Sequence, residues 1–178
     1  MSFLWIEKIP KLHKMFEIVA VFHGGTDVIE TPDVRKGRPY LDFGPGFYVT
    51  DIYVQAKEWA IKIGERRAKS AVVNTYHLRK AAMVAERRGL RFEAYDMAWL
   101  EFITQSRLGS EPWSGLDYVE GGVADDNVID TVRLYMNGYI PAEVAISELK
   151  YFKPTNQICI LSQEVIREYL TFVKSEVI

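Results

Sequence analysis

Five short apolar runs in this chain have the length of β-strands, and patterns typical of helices separate them. The runs cover residues 18–22, 46–50, 71–78, 116–123 and 157–161. Segments 51–69, 92–107, 127–138 and 141–149 instead repeat their apolar residues at the spacing of one helix face. Residues 163–173 fit either a short helix followed by a strand or one helix. Because strands and helices do not follow the regular order of a parallel sheet with crossover helices, the pattern predicts an α+β fold.

The length and composition of the chain suit one domain. Its 178 residues are 48% hydrophobic, which is enough to bury a sizeable core. We expect residues 18–178 to form this domain and residues 1–17 to form an N-terminal extension. Within the extension, residues 3–15 could form a short amphipathic helix interrupted at Pro10.

Charge and hydropathy give no reason to expect a membrane partner or a general affinity for nucleic acid. The 22 Lys and Arg residues are balanced by 24 Asp and Glu residues, so the formal net charge is −2. Charged residues and Pro10 interrupt the apolar residues of segment 1–21, which argues against a signal peptide and against a membrane span. We therefore predict a cytoplasmic protein.

Several common catalytic signatures are absent from the sequence. It contains no GxxxxGK[ST] phosphate loop and no GxGxxG, HExxH, CxxC or GxSxG motif. Its three histidines lack metal-ligand spacing, so we expect no metal. Cys159, the single cysteine, lies in the apolar run 158–161 and is predicted to be a buried thiol rather than a nucleophile.

The segment from Phe22 to Ala60 is the best candidate for a ligand site. His23 closes an apolar strand and is followed by two glycines, which allow a ligand to approach the backbone and bond its N–H and C=O groups. Tyr48 follows a Gly-Pro-Gly turn, and Trp59 is expected on the buried face of a helix that Asp51 caps. Two aromatic faces brought together could hold a flat cationic ring. Each of these residues also has a purely structural explanation, as a strand-end histidine, a core aromatic or a turn glycine.

At these residues the sequence resembles the His–Tyr–Glu branch of the ADP-ribosyltransferase superfamily, which includes the poly(ADP-ribose) polymerases and diphtheria toxin. In that branch a strand ends in His-Gly, a Gly-x-Gly-(Ile/Phe)-Tyr strand follows, and a second aromatic residue comes eleven residues later. The matching segments here are His23-Gly24-Gly25, Gly44-Pro45-Gly46-Phe47-Tyr48 and Trp59. The resemblance implies two split antiparallel β-sheets with flanking helices.

From about Val19 to Phe172 the chain also resembles a bacterial family of unknown-function domains. Members of that family are often encoded as candidate toxins beside a small partner, which implies an antitoxin protein as a partner here. The matching segments are VFHGGTDVIETPD, GRPYLDFGPGFYVTD, QAKEWA, AVVNTYHL, AWLEFITQSR, DYVEGGVADDNV and NQICILSQEVIREYL.

The superfamily resemblance implies NAD⁺ as the substrate and assigns roles within its pocket. His23 would hydrogen-bond a ribose hydroxyl, and Gly24 would offer its backbone to the nicotinamide amide. Tyr48 and Trp59 would stack on the nicotinamide ring. Arg38, in the loop before Tyr48, is a candidate partner of the pyrophosphate, with an ordinary surface arginine as the alternative.

The third superfamily position is a catalytic Glu that opens a late strand, and Gln157 stands there in this chain. A glutamine can orient the nicotinamide ribose, but it lacks the charge that stabilises an oxocarbenium-like transition state. Losing one such contact costs ~10²–10³ in rate. Asp125, Asp126 or Glu164 could compensate, although the two aspartates could instead cap the helix that follows them. In arginine-modifying relatives a carboxylate lies two residues before the Glu, and Thr155 at that position does not support arginine as the acceptor.

These residues lead to one main functional hypothesis and two alternatives. The main hypothesis is a mono-ADP-ribosyltransferase of the glycosyltransferase class, the toxin of a toxin–antitoxin pair, that modifies a protein or a nucleic acid. The first alternative is an NAD glycohydrolase, which uses water as the acceptor. The second is an inactive module that binds ADP-ribose or a protein partner.

Overall fold

The computed structural model describes residues 17–124, 126–152 and 155–178, with only the backbone at positions 126 and 127. The helix predicted within residues 3–15 lies outside these ranges. The strands are β1 (Val19–Gly25), β2 (Phe47–Val49), β3 (Val72–Leu78), β4 (Gly89–Arg91), β5 (Tyr118–Gly121), β6 (Gln157–Ile160) and β7 (Leu170–Val177). The helices are α1 (Tyr53–Arg67), α2 (Lys80–Glu86), α3 (Met97–Arg107), α4 (Asp126–Met136), α5 (Ala142–Leu149) and α6 (Gln163–Tyr169).

The strands form two sheets, which confirms the predicted α+β class. Sheet A has the order β1-β3-β7 and is antiparallel throughout. Sheet B has the order β2-β6-β5-β4, and its β4 and β5 are parallel. The prediction of antiparallel sheets was therefore wrong for this one pair. The reason is that α3 lies between β4 and β5 in the chain, and a helical crossover returns the chain in the same direction.

Among the described residues, the backbone hydrogen bonds that join the two sheets connect one pair of residues, Phe22 of β1 and Thr50 after β2. The Phe22 N–H donates to the Thr50 carbonyl at 2.7 Å, and the Thr50 N–H donates to the Phe22 carbonyl at 2.9 Å. Extending this register by two residues places Gly24 opposite Tyr48, but no backbone bond between described residues joins them. The two strands diverge here, and we call the region between Gly24 and Tyr48 the split.

Three apolar clusters hold the layers together. The first lies between the sheets, where Val21 and Tyr76 of sheet A pack with Phe47 and Ile158 of sheet B. The other two lie on the outer faces. Helices α3, α4 and α5 cover sheet B, with Cys159 in that cluster, and α1 covers sheet A. Cys159 has no exposed surface, which confirms its predicted burial.

Helix α1 begins differently from the prediction. Its N-cap is Ile52, which makes no capping bond through its side chain. Asp51 instead accepts a hydrogen bond from the side chain of Asn156 at 3.0 Å. The predicted Asp51 cap was wrong because this aspartate extends the β2–β6 register, in which it lies opposite Asn156.

Other elements differ from their predicted bounds. Segment 92–107 becomes helical only at Met97, after Asp96, whose side chain accepts from the Trp99 N–H at 2.9 Å. The prediction missed α2 and β4, which are too short to show a clear period. Segment 163–173 is a helix followed by a strand, which decides between the two alternatives. Among the described helices, none is both long and apolar enough to cross a bilayer.

Candidate functional site

The backbone of Gly24 offers a hydrogen-bond donor and an acceptor to the split. Phe22 directs its N–H and C=O toward Thr50, and residues two apart on a strand direct these groups the same way. Gly24 therefore turns its N–H and C=O away from β3 and into the split. No inter-element bond within the described ranges uses either group. A donor beside an acceptor matches the two ends of a carboxamide.

Gly24 is also required by the packing of α1. A Cβ atom at this position would overlap the carbonyl oxygen of Ala56 and would lie 3.0 Å from the Ala60 nitrogen. Only a glycine therefore lets the helix backbone approach β1 this closely. The ligand role inferred from the sequence and this packing role apply to the same residue.

The imidazole of His23 is held in one tautomer. Its Nδ1 lies 2.8 Å from the backbone carbonyl oxygen of Tyr48, and a carbonyl can only accept. Nδ1 therefore carries the proton, and Nε2 of the neutral ring is an acceptor. The ring stacks on Phe47 with a centroid separation of 4.6 Å. Burial lowers the pKa of His23, and the bond to Tyr48 offsets this only in part, so the ring is neutral at pH 7.

Tyr48 faces the opposite side of sheet B from Phe47, and a loop holds its hydroxyl. This hydroxyl donates to the Gly44 carbonyl at 2.7 Å and accepts from the Phe43 N–H at 3.1 Å. Burial raises the pKa of Tyr48 well above its ordinary value, so the phenol stays neutral. The half-buried ring is fixed in orientation by these two bonds.

Gln157 lies on the same face of sheet B as Tyr48. Tyr48 is opposite Cys159, and Gln157 is two residues from Cys159 on β6. Gln157 is only 8% exposed. Its Nε2 donates to Oδ2 of Asp42 at 3.4 Å, and no donor among the described residues reaches its Oε1.

Asp42 is a buried carboxylate that sequence reasoning missed. It is 7% exposed and accepts from the Arg107 guanidinium, with Nε at 2.8 Å and Nη2 also bonded to the same oxygen. Its second oxygen accepts from the Ala124 N–H at 3.2 Å as well as from Gln157. The available signal was an aspartate inside the apolar segment Leu41–Tyr48, which needs a partner if it is buried.

Asn156 anchors the start of β6 from the other face. Its Nδ2 donates to Glu120 at 3.2 Å, in addition to its bond with Asp51. Glu120, also missed from the sequence, is 2% exposed and forms an ion pair with Lys80 at 2.6 Å. The Gln55 side chain of α1 donates to the Asn156 carbonyl at 2.7 Å. Position 157 is thus fixed by contacts on both faces and by a link to α1.

Trp59 is not on the buried face of α1, so that prediction was wrong. It is 45% exposed, and the Lys62 ammonium lies 5.8 Å from its ring centroid. The face that contacts β1 consists of small residues such as Ala56 and Ala60, because Gly24 allows close packing. Trp59 shares a side of the helix with Gln55, four residues earlier. The ring contacts found in the described ranges do not include a Tyr48–Trp59 pair.

Arg38 lies close to the start of β2. A Cβ on the preceding Gly37 would lie 2.5 Å from the carbonyl carbon of Pro45, so the loop packs against the Gly-Pro-Gly turn. The Arg38 side chain is exposed. Its predicted contact with a pyrophosphate remains a prediction.

Of the three carboxylates expected to compensate for Gln157, Glu164 has a described side chain. Glu164 lies in α6, beyond the far end of β6, and pairs with Arg87 at 3.1 Å, so a role beside Gln157 was a wrong prediction. Asp125 and the Asp126 side chain lie outside the described residues. Within the described part of the chain, the carboxylate bonded to Gln157 is Asp42.

Comparison with known proteins identifies a family for this chain but gives no activity. No curated protein and no solved structure matches this chain. A family model described as a protein of unknown function (DUF3990) matches residues 19–172, and these bounds agree with the extent of the predicted unknown-function family. The split, the buried Asp42 and the Asn156-Gln157 pair therefore all lie within the matched region, and the chain belongs to the DUF3990 family of proteins of unknown function.

Proposed function

We propose that this protein binds NAD⁺ at the split and transfers its ADP-ribose to a protein or nucleic-acid acceptor. The observation that carries the proposal is the unpaired donor–acceptor edge of Gly24 beside His23. The two sheets that diverge from Phe22 and Thr50 support an ADP-ribosyltransferase-like fold. In this proposal the nicotinamide carboxamide bonds to Gly24, with its oxygen on the N–H and its NH₂ on the C=O.

The nicotinamide ring then lies near two aromatic side chains. Tyr48 is across the split from Gly24 by register, and its ring is held by its hydroxyl bonds. Trp59 is exposed on α1 and available for stacking. A cationic nicotinamide ring gains both dispersion and cation–π attraction from such faces.

In this proposal, hydrogen-bond acceptors of the protein bind the ribose hydroxyls, and a positively charged side chain binds the pyrophosphate. Nε2 of His23 accepts a hydrogen bond from a ribose hydroxyl, because its Nδ1 is committed to Tyr48. Oε1 of Gln157 accepts from a hydroxyl of the nicotinamide ribose. Arg38 bonds the pyrophosphate through its guanidinium.

In the reaction, the glycosidic bond between C1′ of the ribose and the nicotinamide nitrogen breaks. The bonding electrons leave with nicotinamide, which becomes neutral, and positive charge develops on the ribose. A nucleophile of the acceptor then bonds C1′ and loses its proton. The amide dipole of Gln157 stabilises that charge less than a carboxylate does, so we expect turnover slower by ~10²–10³ than with a preorganised charge.

Nicotinamide release by the purified full chain tests this function. The His23→Ala variant should release nicotinamide only at the background rate, whereas His77→Ala, at an exposed position of β3, should behave like wild type. Equal rates for wild type and His23→Ala would remove the enzymatic proposal. In a cell lysate, labelled NAD⁺ should give a labelled acceptor. Release of nicotinamide without a labelled acceptor would mean hydrolysis instead.

We further propose that the protein acts as the toxin of a toxin–antitoxin pair. Expression of the wild-type chain in a bacterial cytoplasm should then arrest growth, and His23→Ala should relieve the arrest. Growth that is the same with both chains would contradict this part of the proposal and leave NAD⁺ binding unaffected.

A binding module without turnover is the second candidate, and one observation favours it. Among the described side chains, the carboxylate bonded to Gln157 is Asp42, and its charge is already paired with Arg107. Asp42 therefore offers no uncompensated charge to the ribose cation. NAD⁺ or ADP-ribose binding with no release of nicotinamide would identify this function.

A further inference from the structure

Asp42 is at the centre of a set of four hydrogen-bond donors. Nε and Nη2 of Arg107 bond its Oδ1, and the Ala124 N–H and Nε2 of Gln157 bond its Oδ2. These donors come from α3, from the segment after β5 and from the start of β6. Only a carboxylate accepts at both of its ends, so the four bonds together require an aspartate rather than an asparagine.

This arrangement determines which end of the Gln157 amide faces away from Asp42. The terminal torsion of a glutamine is roughly two-fold, so its NH₂ and its oxygen can exchange places at little cost. Asp42 accepts but cannot donate, and the Gln157 NH₂ must therefore face it. The amide oxygen is consequently directed away from Asp42 as an acceptor for a ligand.

Arg107 makes the buried carboxylate tolerable and holds it in place. A buried carboxylate without a partner is strongly unfavourable, and a guanidinium supplies two parallel donors where a lysine supplies a point charge. The side chain of Arg107 is itself only 25% exposed. The charge of Asp42 is thus compensated before any ligand arrives.

We infer that Asp42, held by Arg107, is a positioning residue that presents the Gln157 oxygen to a hydroxyl of a nucleotide ribose. The inference rests on the proposed NAD⁺ site and extends it. With Asp42 in place, position 157 requires an amide rather than an ionised carboxylate. A glutamate there would place a second carboxylate about 3.4 Å from Asp42. Two carboxylates at this separation cannot both ionise readily.

The experiment compares the affinities of two ligands, nicotinamide and NAD⁺, by calorimetry. Nicotinamide has no ribose, so Asp42→Asn should leave its affinity within about two-fold of wild type. The same variant should lower the affinity for NAD⁺ by about 10-fold, which corresponds to the loss of one hydrogen bond. Asp130→Asn, which breaks an exposed ion pair with Arg133, is the matched control and should change neither affinity.

A double variant tests the coupling between the two side chains. Gln157→Glu alone should keep NAD⁺ affinity only while the introduced carboxyl is protonated and donates to Asp42, so affinity should fall as pH rises through the pKa of that carboxyl, which Asp42 raises. Adding Asp42→Asn to Gln157→Glu should recover NAD⁺ affinity relative to both single variants, since the asparagine NH₂ can donate to the new carboxylate. A residue that only stabilises the fold would not produce this recovery.

The outcomes separate the inference from the proposed function. If wild type binds neither nicotinamide nor NAD⁺, the proposed function fails and the inference fails with it. If wild type binds both, and Asp42→Asn weakens both equally or weakens neither, the inference alone is overturned. Should Asp42→Asn unfold, Arg107→Lys keeps a positive charge without the two parallel donors, and the same comparison of the two ligands applies to it.

Discussion

The imidazole of His23 bridges the point at which the two sheets diverge, donating from Nδ1 to the backbone carbonyl of Tyr48 at 2.8 Å. If the register of the Phe22–Thr50 pair continued, the backbone N–H of Gly24 would donate to this carbonyl. A side chain thus takes the place of one strand bond. The backbone groups of Gly24 are left facing the split.

The half-buried, neutral His23 predicts that acid destabilises the fold. Burial lowers its folded-state pKa below 6.5, so the unfolded chain binds a proton first as pH falls. This contribution to stability is complete above about pH 6.5 and is lost on acidification toward and below the folded pKa. The free energy of unfolding, measured with denaturant between pH 8 and pH 5, should fall less steeply in His23→Gln than in wild type.

The control for this titration is His77→Gln, at an exposed position of β3. It should retain the wild-type pH dependence. If His23→Gln and wild type lose stability in parallel below pH 6.5, the neutral state assigned to His23 is wrong.

Gly24→Ala should destabilise the protein by displacing α1. The added Cβ would overlap the Ala56 carbonyl oxygen, which is backbone and cannot rotate away. Overpacking of this kind costs about 1–3 kcal/mol. Chemical denaturation should report this loss, whereas Gly25→Ala, whose Cβ would meet only the His23 ring at 3.4 Å, should cost less. Equal effects of the two substitutions would argue against close packing at Gly24.

Substitution of Trp59 should affect ligand binding more than folding. Because Trp59 is 45% exposed, Trp59→Ala should lower the unfolding free energy by less than about 1 kcal/mol. Trp99, with no exposed surface, is the comparison, and Trp99→Ala should cost about 3–5 kcal/mol. Under the proposed function Trp59→Ala weakens NAD⁺ binding by about 1–3 kcal/mol, and Trp59→Phe by less. An NAD⁺ affinity that Trp59→Ala leaves unchanged would remove this residue from the site.

The single thiol should be unreactive while the protein is folded. Burial raises the pKa of Cys159 to about 12, so the reactive thiolate is scarce at pH 8, and the sulfur has no exposed surface. Alkylation by iodoacetamide, followed by intact mass, should be much slower in native buffer than in denaturing guanidinium. Because the chain contains one cysteine, the mass change reports on Cys159 alone. Comparable rates in the two solutions would contradict its burial.

The local parts of the fold were predictable because they depend on short-range patterns. Short apolar runs predicted β1, β2, β3, β5 and β6, because such a run depends only on a few neighbouring residues. Two short elements escaped. Strand β4 is Gly-Leu-Arg and contains no apolar run, and the seven residues of α2 span only about two helical turns. The capping role given to Asp51 failed for another reason, since a partner more than a hundred residues away competes for its carboxylate.

The candidate site was predictable only in part. The resemblance to the ADP-ribosyltransferases grouped His23 with Tyr48, and the His23 ring bonds the backbone carbonyl of Tyr48. The position of Trp59 was mispredicted because a helix period cannot show which face will contact a glycine on a distant strand. Glu164 was mispredicted because proximity in sequence to Gln157 does not imply proximity across the length of β6.

The sequence by itself determined the α+β class, the place of Gly24 at the end of a strand and the burial of Cys159. These follow from local periodicity and from the transfer of apolar side chains out of water, which nearby residues largely settle. Only the tertiary structure decided that Gly24 faces the split and that Asp42, 115 residues before Gln157, bonds its amide. Such contacts depend on which distant segments pack together, and no local pattern in the chain encodes that choice.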